Sequence, residues 1–139
     1  MAALKGVEAG APVLARSPGG APAFWIVPLE AGARVPGFAR VELNGRVAQI
    51  GHFAAAAEDP SAGPEASFFR GPPARALNEV RARHSTAPIS QPQLSYDGSP
   101  AKWAWLVKVG DPATRFIYVT PGGWYERPAR DDAASGREG

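Results

Sequence analysis

The chain has 139 residues, 45% hydrophobic and 20% charged, a composition that fits one folded domain and excludes wholesale disorder. Its net charge is only +2, and neither the lysines (Lys5, Lys102, Lys108) nor the arginines form a run, so the concentrated basic patch of a nucleic-acid binder is missing. With no cysteine, disulfides, thiolate metal sites and cysteine nucleophiles are ruled out.

The first ten residues hold one lysine and no apolar core, unlike a secretory signal. No apolar run approaches the roughly 20 residues needed to cross a bilayer. The expectation is a soluble protein without membrane association, cytoplasmic by default and secreted if a leader has been removed. Its 16 glycines and 15 prolines gather at element boundaries without a period, as in a turn-rich β protein.

In chain order, Pro12–Arg16 reads as a short edge strand, and Ser17-Pro18-Gly19-Gly20 as a turn. Phe24–Leu29 is aromatic and β-branched, the composition of a buried strand. Pro28 lacks a ladder N–H, which predicts a sheet edge or a strand end there. Asn44-Gly45 signals a two-residue hairpin turn within Phe38–Phe53, with both turn residues at positive φ. That turn pairs Leu43 with Arg46, Val41 with Ala48 and Ala39 with Ile50. Ala39, Val41, Leu43, Ala48 and Ile50 then form a core face, with His52 on the same side. Glu42 reads as a solvated partner of Arg40.

Residues 54–73 show no period and read as a long loop anchored by Phe68 and Phe69, a candidate lid or binding loop. Pro72-Pro73 opens a helix running to His84, with Leu77, Val80 and His84 on one face. From Ile89 onward the chain reads as strands. Gln93–Tyr96 ends at the turn Asp97–Pro100. Trp103–Val109 alternates, with Trp103, Trp105, Val107 and Val109 on one face and Ala104, Leu106 and Lys108 on the other. Asp111-Pro112 and Pro121-Gly122-Gly123 turn the chain on either side of Phe116–Thr120, and Trp124-Tyr125 follow. These elements predict an α+β fold: one curved antiparallel sheet of about five to six strands packed on one short helix. Residues 1–127 form a single domain in this reading, and 128–139 a disordered tail.

Chemistry is sparsely signalled. The only histidines, His52 and His84, stand in no metal motif, and no metal or cofactor is expected. The Gly19-Gly20 and Gly122-Gly123 doublets read as turns and not as phosphate loops, and no nucleophile elbow is present. His84 suits a helix C-terminus, where the macrodipole favours a cation, and Asp97 suits a turn residue that bonds local backbone. The aromatic residues carry more information. Trp25, Trp103, Trp105, Trp124 and Tyr125 are the candidate ligand-binding residues, since four tryptophans exceed what one short helix covers.

Ala74–Glu126 resembles a PepSY-type unit and the related propeptide modules of secreted proteases. The resemblance rests on a helix followed by the apolar strand Ala104–Val109, then Phe116-Ile117-Tyr118-Val119-Thr120, the turn Pro121-Gly122-Gly123, and Trp124-Tyr125. It covers less than half of the chain, and Thr120 stands where that family commonly has Asp. It implies a noncatalytic module that binds or inhibits a protease, or binds a peptide. The leading expectation is therefore a noncatalytic binding or inhibitory module for a peptide or protein partner. The alternative is a small-cavity enzyme or small-molecule binder, its pocket lined by Trp25, Trp103 and Trp105, with His52, His84 or Asp97 transferring a proton.

Overall fold

A computed structural model describes residues 6–53, 59 and 63–129. The chain divides into two compact units, one comprising the residues up to Leu14 with Ala23–Arg70, the other Ala15–Pro22 with the residues from Gly71 onward.

The first unit is built on an antiparallel sheet of β1 (Glu8–Ala9), β3 (Pro22–Ala31), β4 (Arg34–Glu42) and β5 (Val47–His52), joined by β2 (Val13–Arg16), whose last two residues fall in the second unit. Its order is β1-β3-β4-β5, with β2 also pairing β3. Phe24, Ile26 and Pro28 point to one face of β3 and are buried, while Trp25 and Val27 on the other face are half-buried. Val35, Phe68 and Phe69 are also buried. A 3-10 helix, Ala66–Arg70, delivers the two phenylalanines. The rings chain together, Phe38 to Phe53 at 5.6 Å, Phe53 to Phe69 at 6.4 Å and Phe69 to Phe68 at 5.5 Å. The anchoring expected of Phe68 and Phe69 is thus met, and residues 54–58 and 60–62 of that loop lie outside the described residues.

Pro28 sits inside a central strand, contrary to expectation. Its carbonyl accepts the Gly10 N–H at 2.8 Å. In an antiparallel ladder a residue's N and O point the same way, so its ring nitrogen faces the gap between β1 and β2, where no ladder donor is needed.

The β4–β5 hairpin departs from the expected register near its turn. Ala39 does pair with Ile50, but a bulge between Arg40 and Val41 pairs Val41 with Val47 and leaves Ala48 as the extra residue. Asn44 does not adopt positive φ; Gly45 alone does, at 91°. Gly45 N–H donates to the Glu42 carbonyl and Glu42 N–H to the Arg46 carbonyl, both at 2.8 Å. This is a three-residue loop with a left-handed glycine, not a two-residue turn. Asn44 Oδ1 caps it by accepting the Arg46 N–H at 2.9 Å. Glu42 pairs with Arg46 across the loop, not with Arg40. The expected core face is also overturned, because Leu43, Ala48, Ile50 and His52 are exposed. Only Ala39 of that set is buried.

The second unit contains α1 (Ala74–Arg83), β6 (Gln93–Tyr96), β7 (Trp103–Gly110), β8 (Ala113–Thr120) and β9 (Gly123–Pro128). The strands form an antiparallel meander in sequence order. Pro73 precedes the first turn of α1, and the Leu77 N–H reaches its carbonyl at 3.2 Å. Ala76 and Val80 are buried and Leu77 is half-buried, as the helical spacing requires. On β7, Trp103 through Val107 are all buried, so both faces of this strand are covered. Ala104, Leu106, Phe116 and Tyr118 form one buried cluster, with half-buried Tyr125 packed against it.

The architecture is broadly α+β, but among the described residues nine strands form two sheets where one curved sheet of five to six was expected. Each half of the chain closes its own hairpins: β3 turns back at Gly32 into β4, and β6 to β9 pair only with sequence neighbours. The turn at Gly32 and strand β1 have no counterpart in the sequence reading. The tail expected from Pro128 starts as structure. Pro128 ends β9, and Ala129 N–H donates to the Thr114 carbonyl at 3.0 Å. The rest of that tail lies outside the described residues. No helix among the described residues is long and apolar enough to cross a membrane.

Candidate functional site

The first sheet presents an apolar face. Trp25 lies opposite Val41 and Val41 opposite Val47; Val27 lies opposite Ala39 and Ala39 opposite Ile50. These two rows share a face, because alternate residues of a strand point the same way and the bulge at Ala48 returns Val47 to the side of Ile50. Trp25, Val27 and Val41 are half-buried. Leu43, Val47 and Ile50 are 54%, 55% and 57% exposed, and they are the large hydrophobics left exposed among the described residues. Among those residues β5 pairs with β4 alone, so its other edge is open. His52 ends β5 opposite Gly37 and is exposed.

The remaining aromatic candidates belong to the second unit. Trp103 and Trp105 are buried, 8% and 7% exposed. Trp124 is half-buried on β9, with the Arg83 guanidinium 6.0 Å from its ring centre. Tyr125, on the opposite face of β9, stacks on Tyr118 at 5.5 Å. Its hydroxyl donates to Asp97 Oδ2 at 2.8 Å. Burial, then the bond to Asp97, pushes that hydroxyl up to about 12, so it remains a donor at neutral pH. Asp97 thus reaches across the sheet to β9 instead of bonding its own turn.

Sequence reasoning missed Glu126. This carboxylate lies 2.7 Å from His84 Nε2, accepts the Arg115 Nε–H at 2.8 Å, and sits 3.8 Å from Arg83 Nε. Its side chain is 16% exposed. The Arg115 bond, then the His84 bond, holds it below the usual carboxylate range. Its partners lie 42 and 11 residues away in sequence. Only the alternation of β9, which puts Glu126 on the face opposite Tyr125, could have pointed to it.

Glu126 shows what covers the face of Trp105 and Val107. It stands opposite Ile117, and Ile117 opposite Val107, so it shares that face. His84, at the C-terminal cap of α1, and Arg83 engage it, so the helix end docks there. Trp103 and Trp105 are accordingly core residues.

Of the proton-transfer candidates, His52 belongs to the first unit and His84 and Asp97 to the second. His84 and Asp97 engage β9 from opposite faces, through Glu126 and Tyr125. His84 also borders a surface cavity of about 360 Å³ with Arg81, Ser85, Ala87 and Ile89. Among the described residues the Ser85 hydroxyl makes no hydrogen bond to His84. Glu126, between two arginines and a histidine, has the chemistry of an ionic clamp. No cluster of His, Asp or Glu suited to a metal occurs among the described residues. Compared with family models, with curated proteins and with solved structures, the chain matches none.

Proposed function

We propose that the protein is a noncatalytic binding or inhibitory module, and that its first sheet receives a peptide or protein partner along β5. The exposure of Leu43, Val47 and Ile50 on one hairpin carries this reading. Edge strands of monomeric proteins are commonly guarded by charge or proline. Val47–His52 contains neither. An extended segment can add to such an edge as a further strand, with main-chain hydrogen bonds supplying affinity and the flanking side chains selecting sequence. Trp25 is the candidate ligand residue on this face. The resemblance of Ala74–Glu126 to protease-binding modules implies the same class of role.

A displayed library of short random peptides tests the reading. Peptides enriched on the native protein should alternate β-branched or aromatic residues, and should lose about tenfold or more in affinity for Val47→Lys and Ile50→Lys, a loss of roughly 1.4 kcal/mol or more. Circular dichroism should show both variants folded. Enrichment of nothing, or equal binding by the lysine variants, would remove this assignment.

A further inference from the structure

We propose that the second unit carries a binding site for a carboxylate group, between the loop Asp97–Lys102 and the end of β9. It rests on different residues from the peptide edge and does not depend on it. A cavity of about 450 Å³ opens there, lined by Asp97, Gly98, Ser99, Lys102, Arg127 and Ala129 among others. Both walls are fixed. The loop is closed by Asp97 N–H to the Lys102 carbonyl at 3.0 Å and Lys102 N–H to the Ser99 carbonyl at 2.9 Å. The strand end is held by Ala129 N–H on Thr114.

Arg127 is oriented within this cavity. Its Nε lies 3.4 Å from Asp97 Oδ2, and its guanidinium carbon is 5.3 Å from the centre of the Tyr125 ring. Asp97 is itself fixed from below by the Tyr125 hydroxyl. The two terminal nitrogens of Arg127 and the Lys102 ammonium have no hydrogen-bond or ion-pair partner among the described residues. A guanidinium tied through Nε and lying over a ring offers its remaining N–H groups as a planar fork, the geometry that matches a planar carboxylate. Asp97 is the positioning residue and Arg127 with Lys102 supplies the contacts. Among the described lining residues the charge agrees: Asp97 offsets one of the two cations, leaving one positive charge for one negative charge. A phosphate dianion would remain half uncompensated.

Amide and Arg Nε–H shifts of the full chain, followed by NMR while acetate or inorganic phosphate replaces chloride at constant ionic strength, decide this. Acetate should give saturable shifts at Gly98, Ser99, Ala129 and the Arg127 side chain. Lys102→Gln and Arg127→Gln should each weaken that response about tenfold, the scale of one charge-assisted hydrogen bond. Lys108→Gln should leave it unchanged. Lys102 is exposed, so its variant reports on binding even if the Arg127 variant disturbs β9. Absence of saturation, equal response in Lys102→Gln, or tighter binding of phosphate than of acetate would each overturn the proposal.

Discussion

The two sheets use similar residues to opposite ends. In the second unit, β7 reads Trp-Ala-Trp-Leu-Val and every one of those side chains is buried. In the first unit, β3 reads Phe-Trp-Ile-Val and buries only alternate positions, while β5, with Val47 and Ile50, buries none of its residues. Apolar composition alone therefore does not locate a core. A strand covered on both faces spends its hydrophobic residues on folding. A strand covered on one face leaves those on the other in contact with water, as Val47 and Ile50 are.

The sharpest way to break this contrast is to truncate a side chain in each sheet and compare thermal or denaturant melts. Leu106→Ala, at a fully buried position of β7, should cost about 3 kcal/mol through lost burial and the cavity left behind. A cost near zero would mean that the second sheet is not the tightly packed one. Next in size is Gly63→Ala in the first unit. A Cβ there collides with the Val35 carbonyl, and Val35 N–H must still reach the Pro64 carbonyl, so a loss of roughly 2 kcal/mol is expected in urea melts. This glycine shows that the first unit is close-packed away from β5.

Glu126→Gln sharpens the comparison at the ionic cluster of the second unit. It should lower stability by about 1–2 kcal/mol at neutral pH by weakening bonds to charged partners. The sign with pH follows from the depressed folded value of Glu126. Its contribution is present above the unfolded carboxylate value and is lost as pH falls through the lower folded one. Melts from pH 7 downward should thus fall less steeply in the variant than in the native protein. Parallel curves would show that the clamp contributes nothing. The smallest effect should come from Ile50→Ala on β5, within about 0.5 kcal/mol of the native protein, because the side chain is 57% exposed. A loss as large as that of Leu106→Ala would place Ile50 in a core and remove the exposed face.

Much of the fold was legible. The alternation from Trp103 to Val109, the turns at Asp111-Pro112 and Pro121–Gly123, and the helix after Pro72-Pro73 are local signals, and the strands and helix follow them. The upper half of the β4–β5 register was legible for the same reason. It failed where Asn44 kept negative φ and let its side chain cap the loop, an alternative turn geometry that the dipeptide Asn-Gly also allows. The number of sheets was not legible, because strand-forming sequence does not say which strands share a ladder. Of the ligand candidates, Trp25 was separable from Trp103 and Trp105 only through burial. The Glu126 clamp joins residues far apart in sequence, and no spacing rule announces it.

The bulge on β5 has a consequence for how this chain can vary in length. Losing one residue from a paired strand normally turns everything beyond it inside out. Ala48 is the residue that the ladder skips, so removing it leaves Val41 with Val47 and Arg40 with Gln49. A codon deletion at this position should therefore be tolerated, with the ladder running on across the former bulge. It would also bring Val47 and Ile50 closer together, altering the pitch of the surface and leaving the fold beneath it unchanged.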